Sequence, residues 1–186
     1  GRIAAEGVVY AYVDEAKKIG VVIEVNSETD FVAKNDSFIA FVDTCAKTIA
    51  EQNPATVEAL LDCKAAGSNE TVADMLREKI LTIGENMKIR RFARYEGEVV
   101  TYIHGGGRIG VMVGFETDLA DKAEFKDYAK DIAMQVAASA PTYLDKASVP
   151  SETIEKEKEI LTQQIVDEGK PANIAEKIVA GRLNKF

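Results

Sequence analysis

Two cysteines, one histidine and no tryptophan occur in 186 residues. Two thiols cannot build a disulfide framework, and one His with two Cys is too few for a zinc site of the usual spacing. Cys45 and Cys63 therefore read as reduced, structural thiols. No catalytic residue, metal site or cofactor is expected. Positive charge is also scarce: 23 Lys and Arg against 31 Asp and Glu leave a formal charge of −8. That balance argues against a general binder of phosphate backbones, so no nucleic-acid partner is expected. No stretch approaches the ~18 consecutive apolar residues of a membrane span. The opening residues, Gly1-Arg2-Ile3-Ala4-Ala5-Glu6, lack the apolar core of a signal peptide, which points to the cytoplasm. The absence of an initiator Met suggests a processed product or a fragment.

What is present suffices for a core. Hydrophobic residues make up 46% of the chain, and a chain of this length buries roughly 70% of its unfolded surface. Val8–Tyr12 and the β-branched run Ile19–Val25 flank a polar loop and predict a hairpin. Phe38, Phe41, Val42, Cys45 and Ile49 then fall at helical spacing, with Asp36 or Ser37 as the N-cap and Asn53-Pro54 as the stop. A shorter helical patch covers Val57–Leu61. Val72, Met75, Leu76, Ile80 and Ile83 give another stripe. Met87–Tyr95, Val99–Ile103 and Arg108–Phe115 read as strands, with Gly105-Gly106-Gly107 turning between the last two. Helical period returns at Phe125, Tyr128, Ile132, Ala133 and Val136. Ser151 is the expected cap of a last helix containing Ile154, Leu161 and Ile165. Gly169-Lys170-Pro171 should fold a second arm, with Ile174 and Ile178, back onto it.

The chain repeats itself. Ile19-Gly20-Val21-Val22 recurs as Ile109-Gly110-Val111-Met112, Glu28-Thr29-Asp30 as Glu116-Thr117-Asp118, and Phe38 as Phe125. Each copy reads as a hairpin, a Glu-Thr-Asp turn and an amphipathic helix. A long period occurring twice is not a solenoid. It implies an α+β fold of two pseudo-repeated subdomains, antiparallel strands covered by helices, plus a C-terminal antiparallel helical hairpin. Residues 1–96 would form the first subdomain, 97–150 the second and 151–186 the helical arm. Ile19 should share its environment with Ile109, and Phe38 with Phe125. After the shared Asp the copies part: Phe31-Val32 in one, Leu119-Ala120 in the other. A buried position accepts Phe or Leu alike, whereas a loop that presents an aromatic needs the Phe. Phe31 is thus the functional suspect.

Other features weigh less. His104 stands in a Gly-rich hairpin turn without a Ser or Cys nearby, so it is a surface residue or a partner contact. The three glycines are followed by a strand and no Lys-Ser/Thr, unlike a phosphate loop. Thr29-Asp30 would cap the next helix. Arg90, Arg91 and Arg94 with Phe92 form the only basic cluster and leave an RNA-binding role open, although alternation along a strand would split the charges between two faces.

The segment Thr29-Asp30-Phe31-Val32-Ala33-Lys34-Asn35, preceded by Ile23-Glu24-Val25-Asn26, resembles the signature of the bacterial translation elongation factor Ts family. Ile83-Gly84-Glu85-Asn86-Met87-Lys88-Ile89-Arg90-Arg91, His104 with Gly107-Arg108-Ile109-Gly110-Val111, Val136-Ala137-Ala138-Ser139 and Gly169-Lys170-Pro171 agree with it. The resemblance implies a guanine-nucleotide exchange factor for elongation factor Tu in translation, acting by binding and not as an enzyme. It implies that Thr29, Asp30, Phe31 and Val32 displace Mg2+ from the partner's nucleotide site, with Phe31 as the wedge and Asp30 fixing it. His104 would also touch the partner. A homodimer stands open beside that partner, as does an interaction module without exchange activity. Gln135 stands where relatives often carry His. The resemblance further implies that the chain starts after the family's N-terminal helical domain and stops before the strands that complete the second subdomain.

Overall fold

Ile19, Val21, Ile23 and Val25 alternate along one strand with Gly20, Val22 and Glu24. This strand, β2 (Ile19–Ser27), pairs antiparallel with β1 (Glu6–Asp14) through a tight turn in which the Asp14 carboxylate accepts from the Lys17 N–H at 3.0 Å. On its other side lies β3 (Met87–Glu96), also antiparallel, so β2 is the central strand of three. The computed structural model describes residues 2–117, 122–169 and 172–185. Asp118, Leu119, Lys170 and Pro171 lie outside the described residues, as does the side chain of Ile174. The chain divides into two compact units, Gly1–Ala140 and Pro141–Phe186.

Between β2 and β3 run four helices: α1 (Asp30–Ala33), α2 (Asp36–Gln52), α3 (Val57–Asp62) and α4 (Val72–Ile83). The stripe of α2 meets the odd-numbered residues of β2, and Phe38, Val42, Cys45, Ile49, Val21, Ile23 and Val25 lose all contact with water. The cap of α2 is Asn35, whose side-chain oxygen accepts from the Ser37 and Phe38 N–H groups at 2.9 and 3.2 Å. Asp36 and Ser37, the expected caps, are already helical, because Asn35 is the last residue with extended backbone. The helix ends at Asn53, in the left-handed region at φ 48°, just before Pro54.

A second sheet follows, β4 (Glu98–His104) paired antiparallel with β5 (Ile109–Phe115), and α5 (Ala123–Ser139) packs on both strands. Phe125 meets Phe115 edge to face, with centroids 5.4 Å apart. The helix α5 has the same 17-residue length as α2 and ends likewise in a left-handed residue, Ala140, before a proline. The two sheets touch where side chains are missing. A Cβ on Gly20 would lie 2.5 Å from Val99 Cγ1 and 3.0 Å from Met112 Sδ; one on Gly110 would lie 2.3 Å from Val9 Cγ1 and 3.2 Å from Val22 Cγ1. The β4–β5 turn is pinned to β1 by the Val9 N–H, which donates to the Gly107 carbonyl at 2.7 Å.

Ile19 and Ile109 each open the second strand of a hairpin, yet their surroundings differ: 9% exposed against 45%. Phe38 is buried and Phe125 only partly so. The cause is cover. The far edge of β2 is closed by β3, and β5 has no third strand among the described residues.

The second unit holds a 3-10 turn (Lys146–Ser148), α6 (Ser151–Asp167) and α7 (Ala172–Leu183). The Asp145 carboxylate caps the turn and is held below its usual pKa by the hydrogen bonds of Ser148. Ser151 does not cap α6. Pro150, extended at φ −58° and ψ 139°, takes that place, and its carbonyl accepts from Thr153 and Ile154. Leu161 and Ile165 are the buried residues of α6. α6 and α7 are in contact, and Arg182 forks onto Glu168 with both bonds at 3.1 Å.

Gly20→Ala and Gly110→Ala should each lower stability by about 1–3 kcal/mol in urea unfolding, because a β-branched neighbour or a strand must move. Burial pushes the Cys45 thiol up to about 12 from 9.0. A group kept protonated in the fold contributes stability that is full below its unfolded pKa and is lost as pH rises through the folded one. Stability should therefore fall between pH 9 and 12, less so in Cys45→Ala. At neutral pH a thiol reagent should titrate Cys63 in the native chain and Cys45 only after unfolding.

Candidate functional site

The first sheet delivers its central strand into the turn that carries the Thr-Asp-Phe-Val segment. Ser27, the last residue of β2, is fully buried, and its hydroxyl donates to the Thr29 carbonyl at 2.9 Å. The other polar groups of Thr29 meet one carboxylate, contributed from the turn that enters β3. The Thr29 N–H donates to Glu85 Oε2 at 3.0 Å and its hydroxyl to Glu85 Oε1 at 2.7 Å. The grip is reciprocated one residue away, where Glu28 Oε1 accepts from the Asn86 N–H at 2.7 Å. Thr29 occupies the N-cap position of α1 without a side-chain cap bond. Its hydroxyl is committed to Glu85, so the simple expectation that Thr-Asp caps the following helix gives way to a long-range contact.

The four candidate residues then diverge. Thr29 is half-buried and held, and Asp30 is exposed. Phe31 is 81% exposed, and Val32, next to it, is 5% exposed and belongs to the core under β1 and β2. Val32 thus presents little surface of its own. Exposure of a Phe forgoes about 1.5–3 kcal/mol of burial, and the flanking residues decide where that ring points. Asn35 donates its N–H to the Val32 carbonyl at 2.9 Å, which closes the short helix from the other side.

His104 ends β4 and is exposed; its Nδ1 lies 2.9 Å from the Tyr102 hydroxyl, two residues back on the same face. The structure gives no contact that joins it to the Phe31 turn. The basic cluster is partly compensated. A bulge between Glu24 and Val25 makes Arg90 an extra residue opposite β2, so alternation does not split Arg90 and Arg91. Both reach Glu24, at 3.4 and 2.7 Å, and Arg94 pairs with Glu96 at 2.7 Å. Among the described residues no three His, Cys, Asp or Glu side chains gather as metal ligands, and no helix is long and apolar enough to cross a membrane.

Glu85 is the participant that sequence reasoning assigned no role. It lies 56 residues from Thr29, and no local pattern links them. Its signal was indirect: it sits in the Ile83-Gly84-Glu85-Asn86 stretch.

The arrangement leaves one aromatic ring exposed on a braced turn of an α+β fold. Residues 28–186 match the model of the family described as Elongation factor TS, and the chain belongs to that family. It is 48% identical to Elongation factor Ts of Clostridium perfringens (strain SM101 / Type A), in an alignment covering 100% of this chain and 62% of that protein. It is 49% identical to Elongation factor Ts of Clostridium kluyveri (strain ATCC 8527 / DSM 555 / NBRC 12016 / NCIMB 10680 / K1), again covering 100% of this chain and 62% of the relative. The chain thus spans 62% of the length of these relatives.

Phe31→Ala should shift unfolding stability by no more than about 0.5 kcal/mol, as for other exposed sites. Phe38→Ala, in the closed core, should cost about 3–5 kcal/mol. Chemical denaturation of the two variants side by side checks the contrast.

Proposed function

We propose that the chain is a guanine-nucleotide exchange factor for elongation factor Tu, acting in the cytoplasm during translation elongation and releasing GDP by binding alone. The observation that carries this reading is Phe31, 81% exposed on a turn whose backbone is fixed by Ser27 and Glu85. A rigid aromatic loses little entropy on docking and makes a strong interface anchor. A GTPase holds its nucleotide through phosphate contacts bridged by Mg2+. Phe31 enters between partner helices and stabilises the state in which those contacts are broken and Mg2+ is displaced. Asp30 fixes the entry of the ring, Thr29 holds the turn to Glu85, and Val32 roots it in the core. His104 makes a separate contact. Linkage supplies the cycle: a factor that weakens nucleotide binding is itself weakened equally by nucleotide, so incoming GTP expels it.

The finer fold reading belongs with this function: unit Gly1–Ala140 contains two pseudo-repeated subdomains, and α6 with α7 forms an antiparallel arm. In support, the sheet contacts are reciprocal. Gly20 faces Val99 and Met112, and Gly110 faces Val9 and Val22. Exchanging the copies, Ile19 for Ile109, maps one set onto the other, the signature of a two-fold contact. The shared helix length and left-handed ends of α2 and α5 agree.

The runner-up is an interaction module that binds elongation factor Tu without dislodging its nucleotide. Release of a fluorescent GDP from elongation factor Tu separates the two. Exchange requires faster release with added chain and a loss of roughly tenfold or more in Phe31→Ala, about 1.4 kcal/mol of barrier. Binding without faster release favours the module.

A further inference from the structure

We infer that Glu85 is a positioning residue for exchange: its carboxylate aims Phe31 by holding Thr29 through two hydrogen bonds. The inference rests on the exchange-factor reading and names a residue it had not assigned. Geometry makes the case. The two oxygens of one carboxylate take the two donors of Thr29, at 2.7 and 3.0 Å, while the third polar group of Thr29 is taken by buried Ser27. Every hydrogen-bonding group of the residue two before Phe31 is thereby satisfied from outside its own helix. Bonds to a charged acceptor are the stronger kind, and a half-buried carboxylate is less screened than one in open water. Thr29 would otherwise turn its hydroxyl back to cap α1, the ordinary choice of a Thr at an N-cap. That it does not shows the turn answering to Glu85. The flanking bond from Asn86 N–H to Glu28 keeps the two segments in register at 2.7 Å. An anchor fixed before docking loses less freedom on binding than a loose one.

A positioning role predicts dependence on Phe31. Glu85→Ala should slow the stimulated release of fluorescent GDP from elongation factor Tu roughly tenfold, about 1.4 kcal/mol. In a Phe31→Ala background it should change release less than about twofold, because a residue acting through another is non-additive with it. Glu85→Gln, which keeps one acceptor, should fall between. Melting temperatures of Glu85→Ala and Glu85→Gln should stay within about 4 °C of the parent, the span of ~1 kcal/mol in a chain of this size. Equal losses in both backgrounds, no loss in either, or a larger melting shift in both variants would overturn the inference and make Glu85 merely structural or idle. If Phe31→Ala itself leaves release untouched, the exchange reading of Phe31 fails instead. The two failures are thus told apart by the Phe31 arm alone.

Discussion

Burial of β2 on both faces is the constraint from which the rest of the first unit follows. A strand sends alternate side chains to opposite sides. Here Ile19, Val21, Ile23 and Val25 fill the space under α2, while Gly20 and Val22 meet the second sheet. Each face demands a partner of its own, and the chain supplies a helix for one and a hairpin for the other. The glycines set how close that hairpin comes. With β2 held from two sides and paired along both edges, its last residue, Ser27, is fixed, and the turn that follows begins from a rigid point.

Much of this was legible in the residues. Phe38, Phe41, Val42, Cys45 and Ile49 announce a helix and its buried face. Gly20 and Gly110 stood out as matching members of a repeat, though nothing in a one-dimensional string says that they allow two sheets to touch. Three things were hidden. The cap of α2 moved to Asn35, since several adjacent polar residues could each have served and only backbone conformation chooses among them. The bulge that joins Arg90 and Arg91 at Glu24 depends on strand register, which the basic cluster could not express. The pairing of Thr29 with Glu85 is made by the return of the chain after four helices, α1 to α4. The Phe31 ring was signalled by a substitution between copies, Phe against Leu119, rather than by any pattern around it. The difference between Ile19 and Ile109 shows the limit of that comparison: matching positions in the sequence take on unlike burial when, among the described residues, one sheet has a third strand and the other does not.

The candidate site combines opposites that are usually kept apart. The polar groups of Thr29 are all held, yet the turn's largest side chain is left in water. Interiors impose order on what they enclose; this turn takes that order from Val32 below and Ser27 behind, and carries a ring left 81% exposed. The neighbouring charges are partly offset where they cluster, with Glu24 shared between Arg90 and Arg91.

The contact between Thr29 and Glu85 also closes a circuit. Fifty-six residues separate them, and α1 to α4 all lie within the loop, which the Ser27–Met87 pairing of β2 with β3 also closes. On the proposed reading, Phe31 keeps its bearing only while both closures of that loop hold.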